Sequence, residues 1–200
     1  MAIVTSDKLM EFLRKKGLGK LGGGAFSDVF AAPTSDRAIK VSRRDDCWPK
    51  YILWTTAEGY AGTFAPKVYS LRYYSDQGFY VATMERLSSI RSNDPDAQTP
   101  EAKAARQLRS RIIEAAWNAT GEPAKDIAPM VDFVKKIRNL GEQTDFHDGN
   151  WMLRRDGSLV ITDPISYGDS RGTPRRLRTY DLAMLRNAQF TNQKAYAKRA

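Results

Sequence analysis

One cysteine, Cys47, and one histidine, His147, occur in 200 residues. A single thiol excludes an intramolecular disulfide and any cysteine-rich zinc or iron–sulfur centre, and a single imidazole excludes a two-histidine metal site. No stretch approaches the roughly 18 consecutive apolar residues of a membrane-spanning helix. The first 20 residues contain Lys8, Glu11, Arg14, Lys15 and Lys16 without the apolar core of a secretory signal, so a cytoplasmic location is expected. Acidic residues are the scarcer charge. There are 23 Asp and Glu against 32 Lys and Arg, a net charge of +9, which attracts nucleic acid or acidic protein surfaces and carries no information about fold. At 42% hydrophobic and 28% charged, the composition is globular. The length allows one domain, or one compact two-lobed unit, to fold without disulfide or metal staples.

The order of elements can be read from periodicity. Residues 6–16 open with Ser6 as the expected N-cap and put Leu9, Phe12 and Leu13 on one helical face; Gly17 and Gly19 end the helix. Residues 21–41 read as two strands about a Pro-Thr-Ser-Asp turn, followed by a helix between Trp48 and Tyr60. Residues 67–74 and 78–84 are aromatic and β-branched around a Ser-Asp-Gln turn, the pattern of a hairpin. The polar segment 91–100 with its two prolines marks a lobe boundary, giving an expected division into residues 1–90 and 91–200. Beyond it, residues 101–118 form one helix, and Ile127, Met130, Val131, Val134, Ile137 and Leu140 trace the inner face of a second. Short strands at 151–154 and 158–162 bend about Asp156-Gly157, and a short helix is expected near 180–188. Strands first and helices second make the fold class α+β, in two layers.

Two clusters carry chemistry. Gly22-Gly23-Gly24 lies in a strand–turn–strand with Lys40 on the next strand. Glycines let backbone N–H groups approach anionic oxygens, and a lysine one strand away reaches the same anion. The segment is neither a Walker loop nor a dinucleotide fingerprint, because no helix follows it. Taken alone, the glycines describe a hairpin tip. Lys40 in the run Ala38-Ile39-Lys40-Val41 strengthens the anion-binding reading, since an inward-facing lysine needs an anionic partner. The second cluster is Asp145-Phe146-His147-Asp148-Gly149-Asn150, with Asp163 beyond two short strands. A carboxylate at a helix exit can orient a hydroxyl and accept its proton. Asn150 and Asp163 offer hard oxygen ligands suited to Mg²⁺. Singly, each acid also fits a cap or a turn.

In combination these motifs resemble the protein-kinase superfamily, and most closely the serine/threonine protein kinases of short-tailed lytic bacteriophages. That group combines a G-x-G-x-F-S loop, an I-K-V strand, D-x-H-x-G-N-x-M and I-T-D-P-[IV]-S; this chain carries all four between Leu21 and Ser166. The resemblance implies a minimal bilobal protein-kinase-like fold, with an N-terminal antiparallel sheet and a reduced, mainly helical C-terminal part. Its implied cofactors are ATP and Mg²⁺. Gly22, Gly23, Gly24 and Ala25 would lie over the phosphates, and Lys40 would pair with the α/β-phosphates. Asp145 would act as catalytic base, Asn150 and Asp163 would hold the metal, and Met84, Glu85 and Leu87 would form the adenine-binding hinge. His147 would support the loop. The implied substrates are host proteins of the transcription and translation machinery, and the chain itself, with Ser166, Ser170, Thr173 and Thr179 as candidate acceptors.

The chain also departs from the family pattern. Asp163-Pro164-Ile165 stands where Asp-Phe-Gly is usual, no A-P-E segment follows, and few residues remain for a full helical lobe. Glu58 lies in the interval of the usual helix glutamate, but Gly59 weakens the helix there, and a solvent-exposed glutamate fits equally. Two alternatives stay open: a small-molecule phosphotransferase of the aminoglycoside-kinase type, and a kinase-shaped inhibitor of a host complex without catalysis. Residues 164–200 hold eight basic residues against Asp169 and Asp181, so the surplus charge belongs mainly to the tail, as a docking patch for acidic or nucleic-acid-bound partners or as a solvated surface.

Overall fold

Thr5, not Ser6, caps the first helix. Its backbone is extended and its side chain accepts from Lys8 N (3.3 Å), so α1 runs Ser6–Lys15 with Ser6 as its first residue. At the other end Leu18 N donates to Leu13 O and Gly17 N to Arg14 O, with Gly17 at φ +77°, a closure that favours glycine. The computed structural model describes residues 5–33, 36–43, 46–74, 76–118, 121–139 and 143–166. The helix expected near 180–188, Leu140, Ser170, Thr173, Thr179 and the arginine-rich tail lie outside the described residues.

Three strands, not two, occupy the next segment: β1 (Lys20–Gly23), β2 (Ser27–Ala31) and β3 (Arg37–Arg43). The glycine-rich run makes its own tight turn, which sequence alternation alone did not separate from the strands beside it. Then come α2 (Trp48–Ala57), which starts with Pro49 in its first turn, and the expected hairpin of β4 (Val68–Tyr74) and β5 (Phe79–Glu85). These strands build a five-stranded antiparallel sheet in the order β1-β2-β3-β5-β4. Strand alternation gives its two faces different work. Phe30, Val41 and Phe79 face outward and are covered by Met10 and Leu13 of α1. On β3, Ala38 and Lys40 fall on the opposite face, and both line the same cleft.

After β6 (Ser88–Ser89) and a 3-10 turn at Pro95–Ala97, the chain becomes helical, with α3 (Pro100–Asn118) packed on α4 (Ala128–Arg138). Ala102, Ala105, Ile112 and Ala116 bury the inner face of α3, and Met130, Val131, Val134 and Ile137 that of α4. Next follow β7 (Gln143–Thr144), β8 (Trp151–Leu153), β9 (Leu159–Ile161) and β10 (Ile165–Ser166). β6, β8 and β9 form a three-stranded sheet, turned at Gly157 (φ +82°), and β7 pairs with β10. One apolar core runs from Tyr80, Ala82 and Met84 under the large sheet through Trp48 and Tyr51 to Val134, Trp151 and Ile161. Among the described residues, no helix is long and apolar enough to cross a membrane.

Candidate active site

Gly22, Gly23, Gly24, Ala25, Lys40, Met84, Glu85, Leu87, Asp145, Asn150 and Asp163 all line one cleft of about 440 Å³. The large sheet adds Leu21, Val29 and Ala38 to its lining, and β8 adds Met152. These apolar side chains suit a flat heterocycle, while the polar groups gather toward Lys40 and Asp145.

Gly22 and Gly23 end β1, and Gly24 opens the turn, where its N–H donates to Ser27 O (2.8 Å). Gly23 is the position that demands glycine. A Cβ there would collide with Asp28 Oδ1 and come within 3.0 Å of Ser27 O. Asp28 cannot swing aside freely, because Arg14 (2.8 Å) and Lys20 (2.7 Å) both hold its carboxylate, tying the loop to α1. Gly23→Ala is therefore expected to lower the stability by about 1–3 kcal/mol through overpacking. Gly24→Ala, with no atom within 4 Å of its Cβ, is expected to leave the melting temperature nearly unchanged. Thermal denaturation of the two variants checks the contrast.

Lys40 is 5% exposed, and its ammonium rests on two acids: Asp163 Oδ2 at 2.9 Å and Asp46 Oδ2 at 3.6 Å. The Trp48 ring closes a third side, its centroid 4.5 Å from Nζ. Burial works to lower the Lys40 pKa, but the two carboxylates outweigh it and hold the ammonium above the ordinary lysine value. Burial likewise pushes the Asp163 carboxyl up, to about 6, against the opposing pull of Lys40.

The loop carrying Asp145 is braced by its own backbone. Asp145 N donates to Pro164 O (2.7 Å), and Asn150 Nδ2 donates to Asp145 O (2.9 Å). Asn150 O accepts from Thr162 N (2.8 Å) and Thr162 Oγ1 (3.1 Å), so this loop and the segment holding Asp163 keep a set spacing. His147 Nδ1 accepts from Gly149 N (2.9 Å), which turns Nε2 toward Asp145 Oδ2 at 3.4 Å. The histidine thus supports the loop, and Asp145 keeps an accessible carboxylate. Arg109 Nη2 and Trp151 Nε1 both donate to Phe146 O, holding the residue after Asp145 from below.

Several contributors were not visible in the sequence. Glu58 follows the last residue of α2, is exposed, and is not Lys40's partner. The second acid beside Lys40, after Asp163, is Asp46, just before α2, where the Trp-Pro helix start that follows was an available signal. Glu85 lines the cleft, yet its carboxylate is committed elsewhere: Arg154 binds it through Nε and Nη2 (2.8–3.1 Å), and Lys67 N donates to it (2.8 Å). Arg154, in an unremarkable Arg-Arg-Asp-Gly turn, gave no signal. Cys47 also lines the cleft, but as a buried donor to Ile165 O, its thiol pushed far above the ordinary value by burial and the nearby acids.

No curated protein matches the chain by sequence. Among solved structures it is similar to the kinase of Cydia pomonella granulovirus, at 13% identity and a TM-score of 0.47, covering 90% of this chain and 72% of that one. It is also similar to an aminoglycoside phosphotransferase in complex with ADP and hygromycin B, at 11% identity and a TM-score of 0.41, covering 77% and 69%. A model of the family "Bacteriophage T7 protein kinase 0.7" matches residues 4–189, a span that contains every site residue described above. With that match running over nearly the whole length, the chain belongs to the bacteriophage T7 protein kinase 0.7 family.

Proposed function

We propose that this protein transfers the γ-phosphoryl group of ATP, bound with Mg²⁺, to serine or threonine hydroxyls of host proteins and of its own chain, in the host cytoplasm. The observation that carries the reading is the convergence of Lys40 with Asp145, Asn150 and Asp163, more than a hundred residues later, on one cleft beside the glycine-rich turn.

The donor set fits both groups. Asn150 gives its amide nitrogen to Asp145 O, which leaves its amide oxygen for a cation. Asp163 meets Lys40 through Oδ2, which leaves Oδ1. Two hard oxygens with room for water and phosphate ligands suit Mg²⁺ better than a softer metal. When bound, the metal would neutralise charge on the phosphates. Leu21, Val29, Ala38 and Met152 would hold the base, with Met84 and Leu87 at its edge. Gly22, Gly23 and Gly24 leave the turn without side chains, so that the phosphates would approach its backbone closely. Lys40 would shift from Asp163 toward the α/β-phosphates. Asp145 would orient the acceptor hydroxyl and take its proton, with His147 steadying the carboxylate. Ser166 lies on the cleft lining and is the described candidate for self-modification. The basic tail would serve as a docking patch for acidic host partners.

Incubation with labelled ATP, Mg²⁺ and host lysate, beside Asp145→Ala, tests this. Label in proteins that falls about 10²–10⁴-fold in the variant is the expected result, the usual worth of a positioned base. Phosphoamino-acid analysis should return phosphoserine and phosphothreonine. Label confined to a small metabolite would favour a small-molecule phosphotransferase. No label, with host inhibition intact in Asp145→Ala, would favour a non-catalytic inhibitor.

A further inference from the structure

The loop of residues 90–98 is tightly hydrogen-bonded. Ile90 is fully buried, and Arg106 Nη1 donates to both Ile90 O (2.8 Å) and Ala97 O (3.0 Å). Gln98 Nε2 donates to Ser92 O (2.7 Å) and Asp94 O (2.9 Å). Arg91 stands at the start of this loop. Its N–H donates to Ser89 Oγ (3.2 Å) and its carbonyl accepts from Asp94 N (3.1 Å). The backbone of Arg91 is therefore set, while its side chain is exposed and pairs with no acid among the described residues. That side chain lies on the cleft lining. Its Cδ is 3.5 Å from where a Cβ on Gly149 would stand, so its stem lies against the turn that joins Asp145 to Asn150. The other charges nearby are committed. Lys40 is held by Asp163 and Asp46. His147 accepts from Gly149 N and faces Asp145. Asp94 also lines the cleft, but it is half-buried and its Oδ1 accepts from Asp96 N (3.0 Å) as the cap of the 3-10 turn. Asp148 does not line the cleft.

We infer that Arg91 is a specificity-determining residue that selects acceptors carrying Asp or Glu within about three residues of the modified Ser or Thr. The inference deepens the phosphoryl-transfer reading above and rests on it. An extended acceptor advances about 3.3 Å per residue, so a chain whose hydroxyl sits at Asp145 brings its near neighbours within reach of Arg91. A planar guanidinium takes a carboxylate through two parallel hydrogen bonds, whereas a Lys or Arg at the same place meets like charge. Because the 90–98 loop already holds the Arg91 backbone, less freedom is lost when the acceptor binds.

Synthetic peptides test this, each with one central Ser in a neutral background and Asp, Ala or Lys at one of the three positions on either side. With ATP, Mg²⁺ and the unaltered protein, kcat/KM at one or two positions should be about five- to tenfold higher for Asp than for Ala. That is the scale of one charge-assisted contact that the bound peptide partly covers. Lys at those positions should fall below Ala. Arg91→Gln should bring the Asp-to-Ala ratio there to about one, and Arg91→Glu should make Lys the favoured residue. Both variants should melt close to the unaltered protein, since the guanidinium holds no described partner. No acid preference in the unaltered protein would overturn the inference, and so would a preference that survives Arg91→Gln. An equal loss on every peptide, with a raised KM for ATP, would assign Arg91 to the nucleotide and overturn it too. Label in lysate proteins but in no peptide would count against it equally, because a contact this close to Asp145 acts on short acceptors. Label in neither would overturn the phosphoryl-transfer reading itself.

Discussion

Lys40→Met is expected to slow phosphoryl transfer by about 10²–10³-fold, the scale of deleting one preorganised charge from a reaction that depends on positioning and electrostatics. Methionine fills nearly the same space, so the loss is one of charge. That loss also reaches the fold. Asp46 and Asp163 would face each other beside an apolar methyl group, and breaking a buried ion pair from one side costs about 3–5 kcal/mol. Part of this returns when one acid takes up a proton, a tendency already present in the raised Asp163 value of about 6. The two effects separate experimentally. Lys40→Arg keeps the cation and should melt closer to the unaltered protein, yet it should remain slow, because a broad guanidinium cannot occupy a space bounded by Trp48, Asp46 and Asp163 in the same way. Melting temperature and single-turnover transfer, measured on both variants, check this. A near-normal rate in folded Lys40→Met would remove the lysine from the mechanism.

Arg154→Met is expected to destabilise the fold by about 3–5 kcal/mol, because it strips the partner from a buried carboxylate. Arg154 and Glu85 have side chains 9% and 10% exposed. Besides its paired contact with Glu85, the guanidinium donates to Thr63 O (2.7 Å) and Ala65 O (3.0 Å). It therefore ties the β8–β9 turn, the end of β5 and the 63–65 loop together at one point. Against a typical total of roughly 5–15 kcal/mol, this is a large share. Denaturant unfolding should show it, and Glu85→Leu combined with Arg154→Met should recover part of the loss, since the pair is then replaced by apolar groups and no charge is left buried. The consequence for function follows from position. Glu85 sits between Met84 and Leu87 on the cleft lining, so loosening it should weaken ATP binding more than it slows the chemical step. Stability equal to the unaltered protein in Arg154→Met would show that the contact contributes nothing net.

These two residues differ in how far the sequence exposes them. Lys40 was legible because alternation along Ala38-Ile39-Lys40-Val41 puts it on the face shared with Ala38, and a lysine on a buried face asks for an anion. Arg154 was not, because nothing in its neighbours distinguishes it from Arg155. Its role depends on Glu85, 69 residues away, and on two carbonyls that the 63–65 loop delivers. The helices read well for the same reason as Lys40. Their apolar spacing repeats every three to four residues, so α3 and α4 start and stop close to the expected bounds. Caps read less well, since Thr5 and Ser6 are chemically alike as N-caps and only backbone geometry chooses between them.

The local chemistry was determined by the sequence alone: a glycine-rich turn, a strand lysine on the inner face, an aspartate loop and a second aspartate after a short hairpin. Each rests on spacing between near neighbours, and spacing survives in any fold that keeps those elements. Tertiary structure decided which acids meet Lys40, bringing Asp163 to 2.9 Å and Asp46 to 3.6 Å and leaving Glu58 in solvent, and it committed the Glu85 carboxylate to Arg154. Those outcomes depend on where separate segments cross in space. The bonds from Trp48, Tyr51 and Cys47 to residues more than a hundred positions later set that crossing, and no periodicity within either segment encodes it.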